Sequence, residues 1–556
     1  MTTQPDLWAW ATKPLPDKLP DDSPVEGCTR PDTPALSLSA RGPPAARTRR
    51  VRDEEVAGGS PGKIVRPGAD YIYDSRVLAR LPSTTLLASP SFRALALALL
   101  GLWGAYQCLW NPAGQNIAGD EHIYVTAGWQ YIHGDFAHNL EHPPTAKYIF
   151  GIAQLAAGQG TLGPRLVVGV MVLAGGVILL LWLRAAIGWW AGLAAAALWW
   201  VAPRGGASFR VDRLAMLDPV MTFFALAALA AAWMWMHSGR LWWVPVSAAL
   251  MALSVTSKVS TLVMLPAFLV LPLLYRRPKS LIVGGLVWIA TFGIVVIALY
   301  APVGMVNAIS YMLEFQSAHN ASGHSMTISG HVYEFAPWWA NLWFMMRGLG
   351  PVVLVVVAAG VIAALVIHPD RLVAYLGIVV ILLAIFYMGV SKVALGGYYY
   401  AFMPFLIALC GIGYGRLSEV RPRVVTATVT LVAFVAAATP SVNLSRTIWE
   451  VEPSGIARVP AVLETHGIGA KEKVLFVGCP SSVYHPYMDG RGTSDLKRGP
   501  FAAVVQGKDP RGTSAEPLRK LISDQPEQFQ QFRAGNLVVW IPSGQIVVDK
   551  GSFAVR

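Results

Sequence analysis

Charged side chains are scarce in this sequence. Only 14% of its 556 residues are Asp, Glu, Lys or Arg, whereas 54% are hydrophobic, and the mean hydropathy is +0.47. A composition so poor in charge excludes an ordinary soluble multidomain protein. Between about residues 92 and 440, apolar runs of roughly 17 to 22 residues recur, each long enough to cross a bilayer as a helix. We therefore expect a polytopic membrane protein.

Several functional motifs are also missing. The four cysteines, Cys28, Cys108, Cys410 and Cys479, lie far apart, so they indicate neither a disulfide framework nor a metal site. The sequence has no Walker or Rossmann glycine loop, and its first 90 residues lack the apolar core of a cleavable signal peptide. The net charge of +12 comes mostly from residues at the ends of apolar runs, which indicates topology signals and no nucleic-acid partner.

The apolar runs predict about eleven helices in a membrane domain over residues 91–440. A disordered, cytoplasmic tail over residues 1–90 places the short basic connections inside, as the positive-inside rule requires. Loops 111–163 and 302–349, and the segment 441–556, then face outward. The predicted helices cover 92–110, 164–184, 187–203, 215–236, 241–257, 259–275, 281–301, 350–367, 372–390, 396–415 and 424–440.

The segment after Pro440 has a different pattern. "KVLFVG" and "LVVWIP" are typical of short buried strands, and "AEPLRKLISDQPEQFQQF" is typical of a helix. The fold class is thus an α-helical, multi-pass protein of the plasma (inner) membrane, with a small extracytoplasmic α/β domain over residues 441–556.

The first long loop concentrates titratable side chains close to a membrane surface. Asp120 and Glu121 are adjacent, and His142 and Lys147 flank the rigid pair Pro143 and Pro144. Desolvation near a membrane tunes a carboxylate toward general-base chemistry. A polar surface loop without chemistry is the simpler alternative.

Cations gather on the same predicted face. Arg210 and Arg213 precede the fourth apolar run, together with Asp218, while Lys258 and Lys392 occupy two other outer turns. Outer-face arginines run against the positive-inside bias, and a guanidinium grips phosphate in bidentate fashion. Interfacial anchoring is the alternative reading for each of them. Together they predict an anionic substrate at the outer surface.

The second long loop contributes aromatic and histidine side chains. Trp338 and Trp339 follow Pro337, where they either lie in the interfacial belt or stack on a lipid chain or sugar ring. His324 and His331, like His319, lack a compact metal-ligand pattern, so zinc is not favoured.

A carboxylate base, a ring of cations and interfacial tryptophans suit one reaction class. The expected enzyme is a glycosyltransferase that moves a sugar from a polyprenyl phosphate to an acceptor hydroxyl. A carboxylate removes the proton and cations stabilise the leaving phosphate, with inversion at the sugar carbon.

The order of short motifs resembles the protein O-mannosyltransferase family and, more broadly, the membrane-embedded C-type glycosyltransferases, including the lipid A aminoarabinose transferases. The resemblance covers about residues 90–420. It rests on "GDE" after the first run, "EHPPTAK" later in that loop, "RLAMLDPVMTFF", "TSKVSTL", and "GH" followed by "PWW".

The resemblance implies a role for several residues. Asp120 would be the catalytic base, assisted by Glu121, with His142 and Lys147 shaping the site. Arg213 and Asp218 would position the donor phosphate, and Lys258 matches a lysine near the same pocket. Arg210, Lys392, Tyr398, His324, His331, Trp338 and Trp339 are added from their position and chemistry. The family's eukaryotic members insert a β-trefoil domain in the second long loop, which is short here, so protein glycosylation does not carry over directly.

Rival functions stay open at this point. The acceptor is a protein, a lipid or a glycan. A transporter or flippase for lipid-linked sugars is the alternative from another class, although its charges should lie near the midplane of several spans. No obligatory cofactor is expected. A divalent ion held by Asp120 and Glu121 is a less favoured alternative, and membrane lipids are the other expected partners.

Overall fold

A computed structural model describes residues 89–117, 119–202, 210–324, 326–329, 331–420, 423–451, 455–479, 481–507, 515–549 and 552–556. The predicted disordered tail therefore lies outside the described residues up to residue 88. Within the described part, all eleven apolar segments predicted from the sequence coincide with helices.

By length and composition, five described helices are able to cross a membrane, or six if one bent pair counts as a single span. That pair, Ala340–Leu349 and Pro351–Val366, bends by 110°. The remaining apolar helices are shorter. The chain is a multi-pass membrane protein, and the number of eleven spans stays a prediction.

The helices of the membrane domain are, in chain order, α1 (Pro90–Leu109), α2 (Glu121–Ile132), α3 (Thr145–Ala157), α4 (Leu162–Ala186), α5 (Trp189–Val201), α6 (Leu217–Ser238), α7 (Trp243–Val255), α8 (Leu265–Leu274), α9 (Pro278–Tyr300), α10 (Met305–Ser322), α11 (Ala340–Leu349), α12 (Pro351–Val366), α13 (Arg371–Ala384), α14 (Met403–Leu417) and α15 (Arg423–Glu450). Short 3-10 segments at Val211–Arg213, Val259–Met264 and Tyr398–Ala401 precede α6, α8 and α14. A hairpin of β1 (Met326–Ile328) and β2 (His331–Tyr333) interrupts the second long loop.

Small residues hold the central helices together. A Cβ on Gly413 of α14 would fall 1.8 Å from the carbonyl oxygen of Gly360 on α12, so only glycine permits this approach. On another face of α14, Gly411 and Gly415 lie against Ala191 and Ala195 of α5. Close backbone contact of this kind provides dispersion energy where lipid offers no hydrophobic drive. By contrast, α9 has only two buried residues, Gly284 and Tyr300, and faces outward along most of its length.

The last apolar helix is longer than the sequence predicted and reaches the first loop. Trp449 in its final turn stacks on Trp110 at a ring distance of 5.1 Å. The Tyr106 hydroxyl donates to the Ser445 carbonyl at 2.8 Å, and the Asn111 side chain donates to the Val451 carbonyl at 2.9 Å. The first long loop and the C-terminal segment therefore begin at the same place.

The C-terminal segment forms a five-stranded sheet in the order β4, β3, β5, β7, β6. β3 pairs parallel with β4 and β5, and β7 pairs antiparallel with β5 and β6. The segment consists of α16 (Val459–Thr465), β3 (Val474–Val477), α17 (Ser481–Met488), β4 (Gly492–Thr493), β5 (Ala503–Gln506), α18 (Ala515–Asp524), β6 (Phe529–Ala534), β7 (Leu537–Pro542) and the hairpin β8 (Ile546–Asp549) and β9 (Ser552–Val555).

Both faces of this sheet are covered. Val474 and Phe476 of β3 belong to one apolar cluster, and Leu475 and Val477 belong to the cluster on the other face. This alternation is the period of two expected of a strand. The helix predicted over residues 515–532 is wrong in its second half, because α18 ends at Asp524 and β6 begins at Phe529. Pro526 cannot donate a backbone hydrogen bond and stops the helix.

Candidate functional site at the junction of the two long loops

Asp120, in the first long loop, is the N-cap residue of α2. Its backbone carbonyl accepts hydrogen bonds from the amides of Ile123 at 3.0 Å and Tyr124 at 3.1 Å. Its carboxylate oxygen Oδ2 accepts from the Tyr124 hydroxyl at 3.4 Å. Burial raises the pKa of Asp120, whereas the charges of His122 and Lys258 lower it. A half-buried carboxylate with few hydrogen bonds and a raised pKa suits a general base.

Glu121 has a different environment from its neighbour. It is completely buried and receives two hydrogen bonds from the Arg165 guanidinium, at 2.7 and 2.6 Å. The Ala215 amide donates to Oε1 at 2.8 Å. Arg165 also donates to the carbonyls of three first-loop residues, Pro112, Gln115 and Asn116. Its carboxylate thus anchors the first loop to α4 and to the entry of α6, which agrees with the expected role of Glu121 in local geometry, whereas its part in catalysis stays a prediction.

His142 and Lys147 shape the same loop. His142 Nε2 lies 3.3 Å from the Tyr124 hydroxyl, and burial, aided by the charges of Lys258 and Lys147, lowers the pKa of His142 to about 3. The Lys147 ammonium donates to the carbonyls of Asn139 at 2.5 Å and His142 at 2.7 Å. Lys147 thus faces backbone carbonyls, and a neutral His142 supports the Tyr124 hydroxyl beside Asp120.

Lys258 is a cation whose charge acts on the Asp120 carboxylate. Its Nζ donates to Asp218 Oδ1 at 2.7 Å and lies 4.3 Å from the centre of the Tyr398 ring. Burial acts to lower the pKa of Lys258, but the Asp218 carboxylate and the Tyr398 hydroxyl raise it above its ordinary value. Lys258 therefore stays charged, at a position where its field reaches Asp120.

The second long loop meets the first at this point. Gln316 of α10 donates to the Glu141 carbonyl at 3.3 Å. The rings of His319 and His324 are 5.5 Å apart, and His324 is near enough to lower the pKa of Asp120. Burial, with the charge of His324, lowers the pKa of His319. These histidines border the site from the second loop.

Arg210 and Arg213 are held by other groups of the chain, and their role in binding phosphate stays a prediction. Arg210 is paired with the buried Asp212 and donates to the Gln107 side chain at 2.7 Å. Arg213 donates to the carbonyls of Gln107 at 2.5 Å, Trp110, and Asn111 at 3.3 Å. The last carbonyls of a helix have no partner within it, and Arg213 satisfies that of Gln107 in the last turn of α1. Both arginines are correspondingly buried.

The remaining predicted residues lie around the rim or outside it. Lys392 is exposed, and its ammonium lies 5.5 Å from the centre of the Phe335 ring. Its backbone amide donates a hydrogen bond to the Asn320 side-chain oxygen at 2.8 Å. Trp339 packs edge-on against Tyr333. Trp338 and His331 are exposed, and among the described contacts neither touches Asp120 or Lys258.

Sequence reasoning missed Tyr124, Arg165 and His122. Tyr124 follows Asp120 by four residues, the spacing at which helical side chains meet. Arg165 opens an apolar helix, where a buried charge requires a partner. His122 Nδ1 is buried with no hydrogen-bond partner in the described part of the chain. Burial lowers the pKa of His122, and its electrostatic neighbours include Asp120 and His485 of α17, which brings the C-terminal segment to the site.

A divalent ion shared by Asp120 and Glu121 does not fit this geometry, because both oxygens of Glu121 accept hydrogen bonds from Arg165. Within the described ranges, no three His, Cys, Asp or Glu side chains are grouped so that they could hold a metal ion.

No known family model and no curated protein sequence matches this chain. Among the solved structures that are similar in fold are two C-type membrane enzymes. ArnT from Cupriavidus metallidurans bound to undecaprenyl phosphate matches with a TM-score of 0.53 at 15% identity, over 84% of this chain and 99% of that one. The oligosaccharyltransferase AglB from Archaeoglobus fulgidus, in complex with an inhibitory peptide and a dolichol-phosphate, matches with a TM-score of 0.51 at 10% identity, over 80% of this chain and 74% of that one.

Both similar structures are C-type glycosyltransferases. The chain has the fold of this class of membrane enzyme, which confirms the resemblance inferred from its motifs.

Proposed function

We propose that this protein transfers a sugar from a polyprenyl-phosphate donor to an acceptor hydroxyl at the outer face of the plasma membrane, with Asp120 as the base. One observation carries the proposal. In a C-type glycosyltransferase fold, a half-buried carboxylate lies within the field of a partly buried lysine, and the two come from separate segments of the chain.

The reaction is a single displacement. Asp120 accepts the proton of the acceptor hydroxyl while the hydroxyl oxygen forms a bond to the anomeric carbon of the sugar. The bond from that carbon to the phosphate oxygen breaks, and polyprenyl phosphate leaves with the electron pair. One displacement inverts the configuration at this carbon, and the raised pKa of Asp120 makes it a stronger base than a solvated aspartate.

Lys258 stabilises the leaving phosphate. An ammonium group has three protons, and the described hydrogen bond to Asp218 uses one of them. Asp218 and the Tyr398 ring hold the ammonium in place, so little reorganisation is needed as negative charge develops on the phosphate. Of the cations that the sequence nominated for the donor phosphate, Lys258 is the one whose contacts best suit this role.

The donor class follows from the similar structures, which contain undecaprenyl phosphate and a dolichol-phosphate. The sugar is a hexose such as mannose or a pentose. The acceptor is a protein, a lipid or a glycan. The expected orientation places the N-terminus in the cytoplasm and the C-terminal α/β segment outside.

A transfer assay with the purified protein in lipid tests the proposal, using a panel of polyprenyl-phosphate sugars and candidate acceptors. Asp120→Asn should lower turnover by at least about 100-fold, the contribution typical of a general base, and leave donor binding intact. Asp135→Asn, in the same loop but exposed and paired with His138, is the matched control and should stay active. Unchanged turnover in Asp120→Asn would refute the assignment.

Donor binding provides a second measurement. Lys258→Ala should weaken binding of undecaprenyl phosphate, whereas Lys392→Ala, which removes an exposed cation from the same side, should not. Normal affinity in Lys258→Ala would place the phosphate elsewhere.

A further inference from the structure

A second feature lies far from Asp120. A cavity of about 230 Å³ is formed between α6, α8 and α9. Trp235, in the last turn of α6, lines it, whereas Asp218 of the candidate site lies in the first turn of the same helix. At 1.5 Å per residue, the helix separates the two by about 25 Å. The cavity therefore belongs to the opposite end of the helix bundle.

The lining is entirely apolar and partly faces outward. Phe268 and Trp288 form two of its walls, while Leu269 and Ile289 line it and are 52% and 61% exposed. Gly285 also lines it, and a Cβ at this position would meet no atom within 4 Å. An apolar chain in the surrounding bilayer can therefore enter from the side.

A cationic turn lies at one edge of this cavity. Arg276, Arg277 and Lys279 are exposed and stand between two lining residues, Pro272 and Leu281. The turn is fixed in place, since Arg277 donates to the Met236 carbonyl at 3.0 Å. The positive-inside rule explains cations in a connection between two membrane helices, but it does not explain an apolar cavity directly beside them.

We propose that this cavity binds one acyl chain of an anionic phospholipid, with the lipid phosphate against Arg276 and Lys279. The apolar lining matches a hydrocarbon chain, and the exposed cations match an anionic headgroup. The distance from Lys258 separates this headgroup from a donor phosphate at the candidate site. The proposal does not depend on the proposed sugar transfer.

Quenching of tryptophan fluorescence by acyl-brominated phospholipids tests it. The full-length protein is placed in vesicles of phosphatidylcholine with increasing brominated phosphatidylglycerol or, in parallel, brominated phosphatidylcholine. The measured signal is the part of the quenching that the original protein shows and the Trp288→Phe variant does not. We expect phosphatidylglycerol to be preferred on the order of tenfold, and Arg276→Gln with Lys279→Gln to remove most of that preference.

Cavity filling separates a site from general lipid contact. Gly285→Leu should abolish the Trp288-dependent quenching, and Gly293→Leu should not, because Gly293 lies on the same helix in open space and does not line the cavity. Leu269→Phe, at an exposed lining position, fills the cavity from α8 without adding a tryptophan if Gly285→Leu fails to fold.

Three results would overturn the proposal. Equal quenching by the two brominated lipids would remove the anionic preference, and full quenching in both cavity-filling variants would remove the site. Displacement of brominated phosphatidylglycerol by substoichiometric undecaprenyl phosphate would identify the occupant as a polyprenyl chain. None of these measurements requires sugar transfer, so the proposed function can fail while this proposal stands.

Discussion

Replacing a carboxylate by its amide should have opposite effects on stability and turnover at the adjacent residues Asp120 and Glu121. Glu121→Gln leaves the buried Arg165 guanidinium without its counter-charge, and breaking one side of a buried ion pair costs about 3 to 5 kcal/mol. Arg165 keeps three carbonyl acceptors, so we expect a loss near the lower end, about 3 kcal/mol. Asp120→Asn disturbs one long hydrogen bond and should cost about 0.5 kcal/mol or less.

The assay pairs unfolding with turnover. Unfolding is followed by titrating sodium dodecyl sulfate into mixed micelles, and turnover is measured on the fraction that remains folded. Asp120→Asn should be stable and inactive, whereas Glu121→Gln should be destabilised and retain transfer per folded molecule. A Glu121→Gln variant with the stability of the original protein and no turnover would show that Glu121 takes part in the chemistry.

Three further predictions concern the same site. Transfer should fall as the pH drops through the raised pKa of Asp120, and Lys258→Gln should move this acidic limb to higher pH, because it removes a cation that lowers that pKa; a shift to lower pH would contradict this. Lys147→Met should reduce stability by about 1 to 3 kcal/mol in the same detergent titration, because two part-buried carbonyls lose their ammonium donor; an unchanged midpoint would refute it. Nδ1 of His122 is buried and has no hydrogen-bond partner among the described residues, so we expect it to bond the acceptor: His122→Asn, which retains a polar atom near Nδ1, should keep the acceptor KM, and His122→Gln should raise it on the order of tenfold; equal effects would exclude that contact.

Much of the membrane domain was predictable because length and hydropathy determine which segments become helices. The position of Asp120 after the first apolar run was equally readable. The hairpin of β1 and β2 was not, since its pairing involves only three residues in each strand and lies within a polar loop.

From sequence, the charge of Arg210 and Arg213 suggested an anionic ligand, and that role stays a prediction. Acceptors within the chain hold a guanidinium just as well: the Gln107 carbonyl in the last turn of α1 binds Arg213, and the Asp212 carboxylate and the Gln107 side chain bind Arg210. These acceptors become visible only when α1 and the Val211–Arg213 turn are brought together. Lys258 was nominated from its position and from the family resemblance, and its partner Asp218 was nominated without the pairing between them.

The contact between Trp110 and Trp449 sets a rule for exchanging parts of this molecule. In a hybrid joined at residue 440, Trp110 and Trp449 would come from different parent proteins, and so would the two partners of the hydrogen bond from Tyr106 to Ser445. A hybrid joined at Gly455, after the contacts to Ser445 and Val451 have been made, keeps the entrance of the first loop intact while replacing the whole five-stranded sheet. The useful boundary for engineering is thus Gly455, about fifteen residues beyond the end of the apolar run, because the contacts that hold the last helix lie before it.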